Sequence, residues 1–485
     1  MTEGKTRMKK SLFSYKNICL LLGPVLFFGL RTLLTGIFTL EAATAIALVF
    51  WMIFWWTTAP VSLAVSAFLP IIVNTFFPFI SMGKILPNYF SGTVVLLMGA
   101  CMLVMPWSTT GLDKRLAIGA LRIVGTNVKT QIMIWFLVSM LFSSVLPNTV
   151  VVTLLTPVGV AMLRYLGHDN FVKSPIAAPI LLAIANGTTL GGCLTPLGGS
   201  MNLVAIDVIE QFTGQEFMYI DWLTHVTPLV LTMGVFMIIV LFLTPVKLKT
   251  IEGSTEFFAE QYKELGVMRK EEKTVALLFI VGAILCFARP LYETIFPSLE
   301  PSYVLFTLGI LTVIIPGDNG KPLQTWAFIE KNMMWNMIFL VAGGGLMGVL
   351  FTETGATDTI TQLVSNINLT GGFMTVFIFV AFTYFFGECA THNTGAALGL
   401  PLVLSITTML GLNPTGYVFV ACVAYCGAYV IPAGIRAVTL GYGVTVKDCV
   451  LRGTPLMLVQ LFILPILGYL FITYWPFFSY YPGLS

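Results

Sequence analysis

Charge is what this sequence has least of. Of its 485 residues only 10% are Asp, Glu, Lys or Arg, where a soluble domain carries about 25%. That deficit excludes an ordinary soluble enzyme. Lys plus Arg number 25 and Asp plus Glu 22, a formal net charge of +3, so no basic excess is left for a phosphate backbone. Nucleic acid is thereby excluded as a partner. Histidine is scarcer still, with His168, His225 and His392 alone, and the eight cysteines include no CxxC pair. No metal centre is expected from such a ligand set. The cysteines lie mostly inside apolar stretches and read as small packing residues.

What is abundant is apolar: 57% of the residues are hydrophobic, in long runs. A membrane-spanning helix needs about 20 apolar residues, and about eleven stretches between residues 17 and 475 meet that need. The 44 glycines and 25 prolines break many of them. Polytopic transporters tolerate such breaks where backbone lines a cavity, which makes membrane transport the leading class. Lys5, Arg7, Lys9, Lys10 and Lys16 precede the first apolar run, which predicts a cytoplasmic N-terminus in the cytoplasmic membrane. Arg31 interrupts that run and no small-residue cleavage pattern follows, so it reads as a retained helix rather than a signal peptide.

Two apolar stretches, 131–163 and 371–410, are interrupted at their middles by Pro147-Asn148-Thr149 and His392-Asn393-Thr394. An unpaired amide in hydrocarbon costs several kcal/mol, so a straight span has no use for Asn at that depth. A re-entrant hairpin does, because its tip lies in protein or water. The stretches that follow, 175–208 and 416–444, are broken in turn by Thr195-Pro196-Leu197-Gly198-Gly199 and by Pro432-Ala433-Gly434. Pro and Gly end a helix there and free backbone groups for ligands. These features recur in order: Asn148 and Asn393 are 393 − 148 = 245 residues apart, and Gly111 and Gly355 are 355 − 111 = 244 apart. They form an internal repeat, inverted in the membrane because an odd number of spans separates the units. The predicted layout is N-terminal scaffold helices over 1–91, a first repeat over 92–245, a charged linker over 246–273, scaffold helices over 274–334, a second repeat over 335–475 and a tail over 476–485. The fold class is therefore an all-α polytopic membrane protein with two re-entrant hairpins.

The chemistry concentrates at the tips. Asn148 and Asn393 each offer an acceptor and two donors, Thr149 and Thr394 add hydroxyls, and half-helix N-termini attract carboxylates. Helix capping is the simpler use of Asn and Thr. Arg436 follows the second break and keeps its proton in any protein; an intramembrane Arg is either an anion site or the partner of a buried acid such as Glu388. His392 stands beside Asn393, either at the ligand or satisfied by backbone, and Glu388 one turn before it reads as structural. The candidate substrate-binding residues are thus Asn148, Thr149, His392, Asn393, Thr394 and Arg436, with Thr195, Pro196, Gly199 and Pro432 at the breaks. Gly343-Gly344-Gly345-Leu346-Met347-Gly348 fits a nucleotide-binding pattern, but no strand precedes it, and it reads as close helix packing.

Paired Asn-Thr tips, each followed by a Pro-containing broken helix, resemble the divalent anion/sodium symporter family of the ion transporter superfamily, from about residue 40 to 475. Members carry Ser-Asn-Thr at both tips, and Thr195-Pro196-Leu197-Gly198 looks like the family's Thr-Pro-x-Gly segment. The resemblance implies eleven spans plus two hairpins, a homodimer and an elevator motion, with the tips holding substrate carboxylates and sodium beside each tip.

Three departures shape the expected mechanism. Pro147 and His392 replace the tip serines, and Gly434-Ile435-Arg436 stands where the family has Pro-Pro-Asn. A fixed guanidinium can neutralise a carboxylate as sodium does, and an unpaired charge is costly to carry through a low-dielectric interface. The expectation is a sodium-independent obligate antiporter of the exchanger branch, trading dicarboxylates of the 2-oxoglutarate, malate, succinate and fumarate type, or citrate, with no cofactor and no metal. Its partners are those di- and tricarboxylates, membrane lipids and a second copy. The alternative is a sodium- or proton-coupled symporter of the same fold, with Glu388 and His392 as a proton relay. A membrane enzyme lacks a recognisable nucleophile or acid/base pair here.

Overall fold

The structure, a computed structural model, describes residues 15–318, 320–356, 359, 370–389, 392–427, 429–431 and 435–480, without the side chains of 389, 393, 394 and 398. All regular elements among the described residues are helical. The first are α1 (Tyr15–Leu34), α2 (Leu40–Thr58), α3 (Leu63–Ala67), α4 (Leu69–Phe76) and α5 (Gly92–Thr110). The amphipathic α6 (Leu112–Leu121) follows, then α7 (Val128–Ser143), α8 (Asn148–Tyr165), α9 (Ala177–Gly191), α10 (Ser200–Thr213) and α11 (Tyr219–Leu243). The second half runs through α12 (Ser254–Glu264), α13 (Lys270–Phe287), α14 (Pro301–Ile314), α15 (Trp335–Glu353), α16 (Phe373–Cys389), α17 (His392–Met409), α18 (Pro414–Tyr425), α19 (Arg436–Gly441), α20 (Val446–Leu458) and α21 (Leu464–Tyr474). Seven helical stretches among the described residues are long and apolar enough to cross a membrane, and several apolar helices of 10–17 residues accompany them.

Local sequence explains where the helices stop. Gly111 after α5 and Gly355 after α15 both adopt positive φ, 81° and 68°, the left-handed conformation that closes a helix at glycine. The short helices end at chain breaks: 144–147 between α7 and α8, 192–199 between α9 and α10, and 426–435 between α18 and α19. The predicted hairpins over 131–163 and 371–410 fall on α7–α8 and α16–α17. The predicted broken helices over 175–208 and 416–444 fall on α9–α10 and α18–α19.

Glycine sets how closely these helices approach. A Cβ on Gly187 or Gly191 of α9 would overlap the carbonyl oxygens of Phe136 and Met140 on α7, so this pair is joined backbone to backbone. Gly99 of α5 lies in the same way against the backbone of Leu305 and Phe306 on α14. The glycine run of α15 faces both: Gly344 packs on Ala397 of α17, and a Cβ on Gly345 would come within 2.7 Å of Asp207 Oδ2 on α10.

Polar ties hold the ends. Arg115 of α6 pairs with buried Glu272 and donates to the carbonyls of Leu265 (3.0 Å) and Gly266 (2.9 Å), anchoring the charged linker. Within that linker α12 is one-sided, with Phe257 and Phe258 buried. Arg289 grips both Glu216 oxygens at 2.9 Å and caps the carbonyls of Phe296 and Pro297. One cysteine reading differs from the structure. Cys193 and Cys426, one at each helix break, are joined in a disulfide across 233 residues rather than packed as free thiols.

Candidate functional site

The two sets of breaks meet around a cavity of about 240 Å³. Its polar wall is Asn148, Thr149, Gly199, Ser200, Glu388, His392 and Arg436; its apolar wall comes from α5 and α15, through Leu97, Val104, Met337 and Leu340. A mostly apolar concavity with a few convergent polar groups is the usual form of a small-molecule site.

At the first break the arrangement is rich in oxygen. Pro147 occupies the cap position of α8 and makes no side-chain cap bond. Asn148 does not cap the helix either: its Oδ1 accepts from Ser143 Oγ at 2.7 Å, and its amide packs against Gly192. Fully buried Asn202 donates from Nδ2 to the carbonyls of Gly192 (2.6 Å) and Thr195 (2.7 Å), fixing the turns of this non-helical segment. Trp222 and Thr227 of α11 support the same segment by donating to the carbonyls of Cys193 (2.9 Å) and Leu194 (2.7 Å). An added Cβ on Gly198 would stand 2.5 Å from Ser143 O and 2.8 Å from Gly192 O, so only glycine leaves those two carbonyls facing one space.

The second break is organised by a carboxylate. Glu388, 4% exposed, accepts from Tyr384 Oη (2.6 Å) and from the backbone amides of Tyr429 (2.5 Å), Val430 (2.9 Å) and Ile431 (3.0 Å). Its Oε2 is 3.7 Å from Arg436 Nη2. Arg436 is 2% exposed, and its Nε and Nη1 have no hydrogen-bond partner among the described residues. A buried donor left unmade costs about 1–3 kcal/mol, more for a charged group, so two such donors on a cavity wall mark an acceptor site. His392 lines the same cavity, within electrostatic reach of Arg436 and Glu388.

Asn148, Thr149, Gly199, His392 and Arg436 therefore share one wall. Thr195 and Pro196 are not among the residues that line it: the Thr195 hydroxyl donates to the carbonyl of Ser144 and staples the break. Pro432 lies outside the described residues, as do the side chains of Asn393 and Thr394. The candidate substrate-binding residues named from the sequence did not include Ser143, Asn202 or Gly198, although Gly198 stands in the Thr-Pro-x-Gly segment. The signal for Gly198 is its place in a Gly-Gly pair two residues after Pro196.

Comparison with known proteins decides the family. The family model described as CitMHS, citrate transporter, matches residues 48–424, well over half of the chain. The chain belongs to the citrate transporter family. This citrate transporter family member is also 22% identical over 480 residues to the sodium-dependent dicarboxylate transporter SdcS of Staphylococcus saprophyticus, covering 93% of this chain and 91% of that one. Its identity to the SdcS of Staphylococcus aureus is 23% over 496 residues, covering 96% and 93%. A solved structure, that of the YdaH transporter of Alcanivorax borkumensis, shares the fold at 13% identity with a TM-score of 0.52, covering 84% of this chain and 90% of that one. The chain is a multi-pass membrane transporter and not an enzyme, and the likeness to divalent anion/sodium symporters stands.

Two expectations are corrected. The relatives are named for sodium dependence, which overturns both the sodium-independent obligate antiport and the view that sodium is not needed. The physical error lies at Arg436. The antiport expectation treated it as an unpaired charge that an empty carrier cannot move, yet Glu388 already stands 3.7 Å away. Assignment to the exchanger branch falls with it.

Proposed function

We propose that this protein is a sodium-coupled secondary transporter of di- or tricarboxylates in the cytoplasmic membrane. The observation that carries the reading is the pair of donors on buried Arg436 that have no partner among the described residues, at the wall of a cavity it shares with Asn148 and His392. A carboxylate supplies two acceptors in one plane, which matches a guanidinium fork. The second carboxylate falls to Asn148 and Thr149 at the N-terminus of α8, where helix amides favour an anion. Asn393 and Thr394 are assigned the same role by their position in the sequence repeat, with Gly199 and His392 shaping the wall.

Sodium enters as co-substrate. A hard cation takes oxygen ligands, and the first break gathers the Ser143 and Gly192 carbonyls beside Ser143 Oγ and Asn148 Oδ1. Movement follows the elevator pattern, with the joined α7–α9 pair and the second hairpin sliding along the glycine face of α15 past a scaffold that includes α5 and α14. The layout read from the sequence, with inverted repeats, a cytoplasmic N-terminus and a homodimer, belongs to this proposal.

A thermal-shift series tests the binding half. Succinate, malate, 2-oxoglutarate and citrate are added in sodium and in potassium buffer. A substrate at a hundred times its Kd stabilises by about 2.7 kcal/mol. The expected result is a concentration-dependent rise in Tm with at least one of these anions, larger in sodium. Equal shifts in the two buffers would remove the sodium coupling.

A further inference from the structure

Besides the Pro147 and His392 tips, the two hairpins differ at a corresponding charged position. At the 245-residue offset that relates Asn148 to Asn393, Glu388 stands where the first hairpin has Ser143 (388 − 143 = 245). Ser143 turns its hydroxyl to Asn148, whereas Glu388 turns a carboxylate to three consecutive amides of the second break and to Arg436. Glu388 and Arg436 are the only fixed charges among the described residues that line the cavity, with His392 the one other titratable ring among them. The remaining ionisable groups around Arg436 are the buried hydroxyls of Tyr384 and Tyr429 and the buried thiol of Cys449.

The empty site therefore carries one cation and one carboxylate, held in place by groups that substrate does not need. Glu388 has four donors of its own besides Arg436, so it stays seated whether or not an anion has arrived. Arg436 Nε and Nη1 have no partner among the described residues and can meet that anion, while Nη2 faces Glu388. A site built this way has a balanced charge when empty, and charge balance decides whether an empty binding site crosses a low-dielectric interface.

We propose that Glu388 is the internal counter-ion that lets the unloaded carrier return, and so makes net uptake, rather than exchange alone, accessible to this transporter. The inference rests on the transport reading above and assigns Glu388 as a positioning residue. With Glu388 neutral, Arg436 crosses unpaired in the empty carrier. In the loaded carrier the substrate carboxylate supplies the missing charge, so exchange suffers far less.

The test compares two fluxes of labelled succinate in proteoliposomes with sodium present on both sides: uptake into substrate-free vesicles and exchange against internal succinate. Glu388→Gln is expected to lower the ratio of net uptake to exchange by about tenfold or more, a difference of about 1.4 kcal/mol between the two barriers. Glu388→Asp, which keeps the charge, is expected to restore the ratio even where its absolute rates are lower. Equal loss of both fluxes in Glu388→Gln would make the residue merely structural and overturn the proposal. So would a wild-type protein that exchanges rapidly but takes up nothing into empty vesicles, a result that needs no variant to fold. A wild-type protein that moves labelled succinate, 2-oxoglutarate and citrate in neither mode brings down the transport reading itself, and that outcome is distinguishable from both.

Discussion

Arg436→Gln is expected to abolish the thermal shift given by dicarboxylates and to raise their Kd about a hundredfold, near 3 kcal/mol, because truncating one partner of a desolvated charge pair costs about 2–5 kcal/mol. The loss should fall on binding and not on the fold. Glu388 retains Tyr384 Oη and three backbone amides when its cation is removed, so no buried carboxylate is left without donors. Isothermal titration with the purified variant reads the affinity, and its Tm without ligand reads the fold. Arg436→Lys keeps the charge but not the planar fork, and should recover only part of the affinity. A Gln variant that binds as tightly as wild type would place the anion elsewhere in the cavity.

Gly191→Ala is expected to have the largest effect on stability. The added methyl would meet the carbonyl oxygen, Cα and carbonyl carbon of Met140, which are backbone atoms of α7 and cannot swing aside as a side chain would. Relief requires moving two helices apart next to the first break. Overpacking of this kind costs about 1–3 kcal/mol and here belongs at or above the top of that range. Gly29→Ala supplies the contrast: nothing lies within 4 Å of its Cβ position in α1, and alanine is the better helix former by about 1 kcal/mol. Thermal unfolding in detergent should therefore show a large fall in Tm for the first variant and no loss for the second.

The fold was legible wherever local cost is high. A polar triplet in the middle of an apolar run, such as Pro147-Asn148-Thr149, has few structural uses, and the chain indeed breaks beside it between Ser143 and Asn148. Gly111 and Gly355 could be paired by position alone, and both close helices at positive φ. What could not be read was partnership between distant residues. Glu388 has the sequence of an acid one turn before a histidine, but its partners, Tyr429 to Arg436, lie 41 to 48 residues on. The sequence left Glu388 open as a partner for Arg436, but the inference of obligate exchange took the other alternative and counted one member of a pair. The disulfide between Cys193 and Cys426 was hidden for the same reason: its loop spans 233 residues, and nothing in the spacing marks it. Thr195 carried the right chemistry for a ligand contact, yet its hydroxyl is spent on the carbonyl of Ser144.

The most direct measurement of the central claim is uptake of labelled dicarboxylate into proteoliposomes that hold no internal substrate, under an inward sodium gradient. Accumulation above the external concentration is expected, with collapse of that accumulation when sodium is replaced by potassium and its loss in Arg436→Gln. Uptake that ignores the sodium gradient and starts only when dicarboxylate is loaded inside the vesicles would contradict that claim.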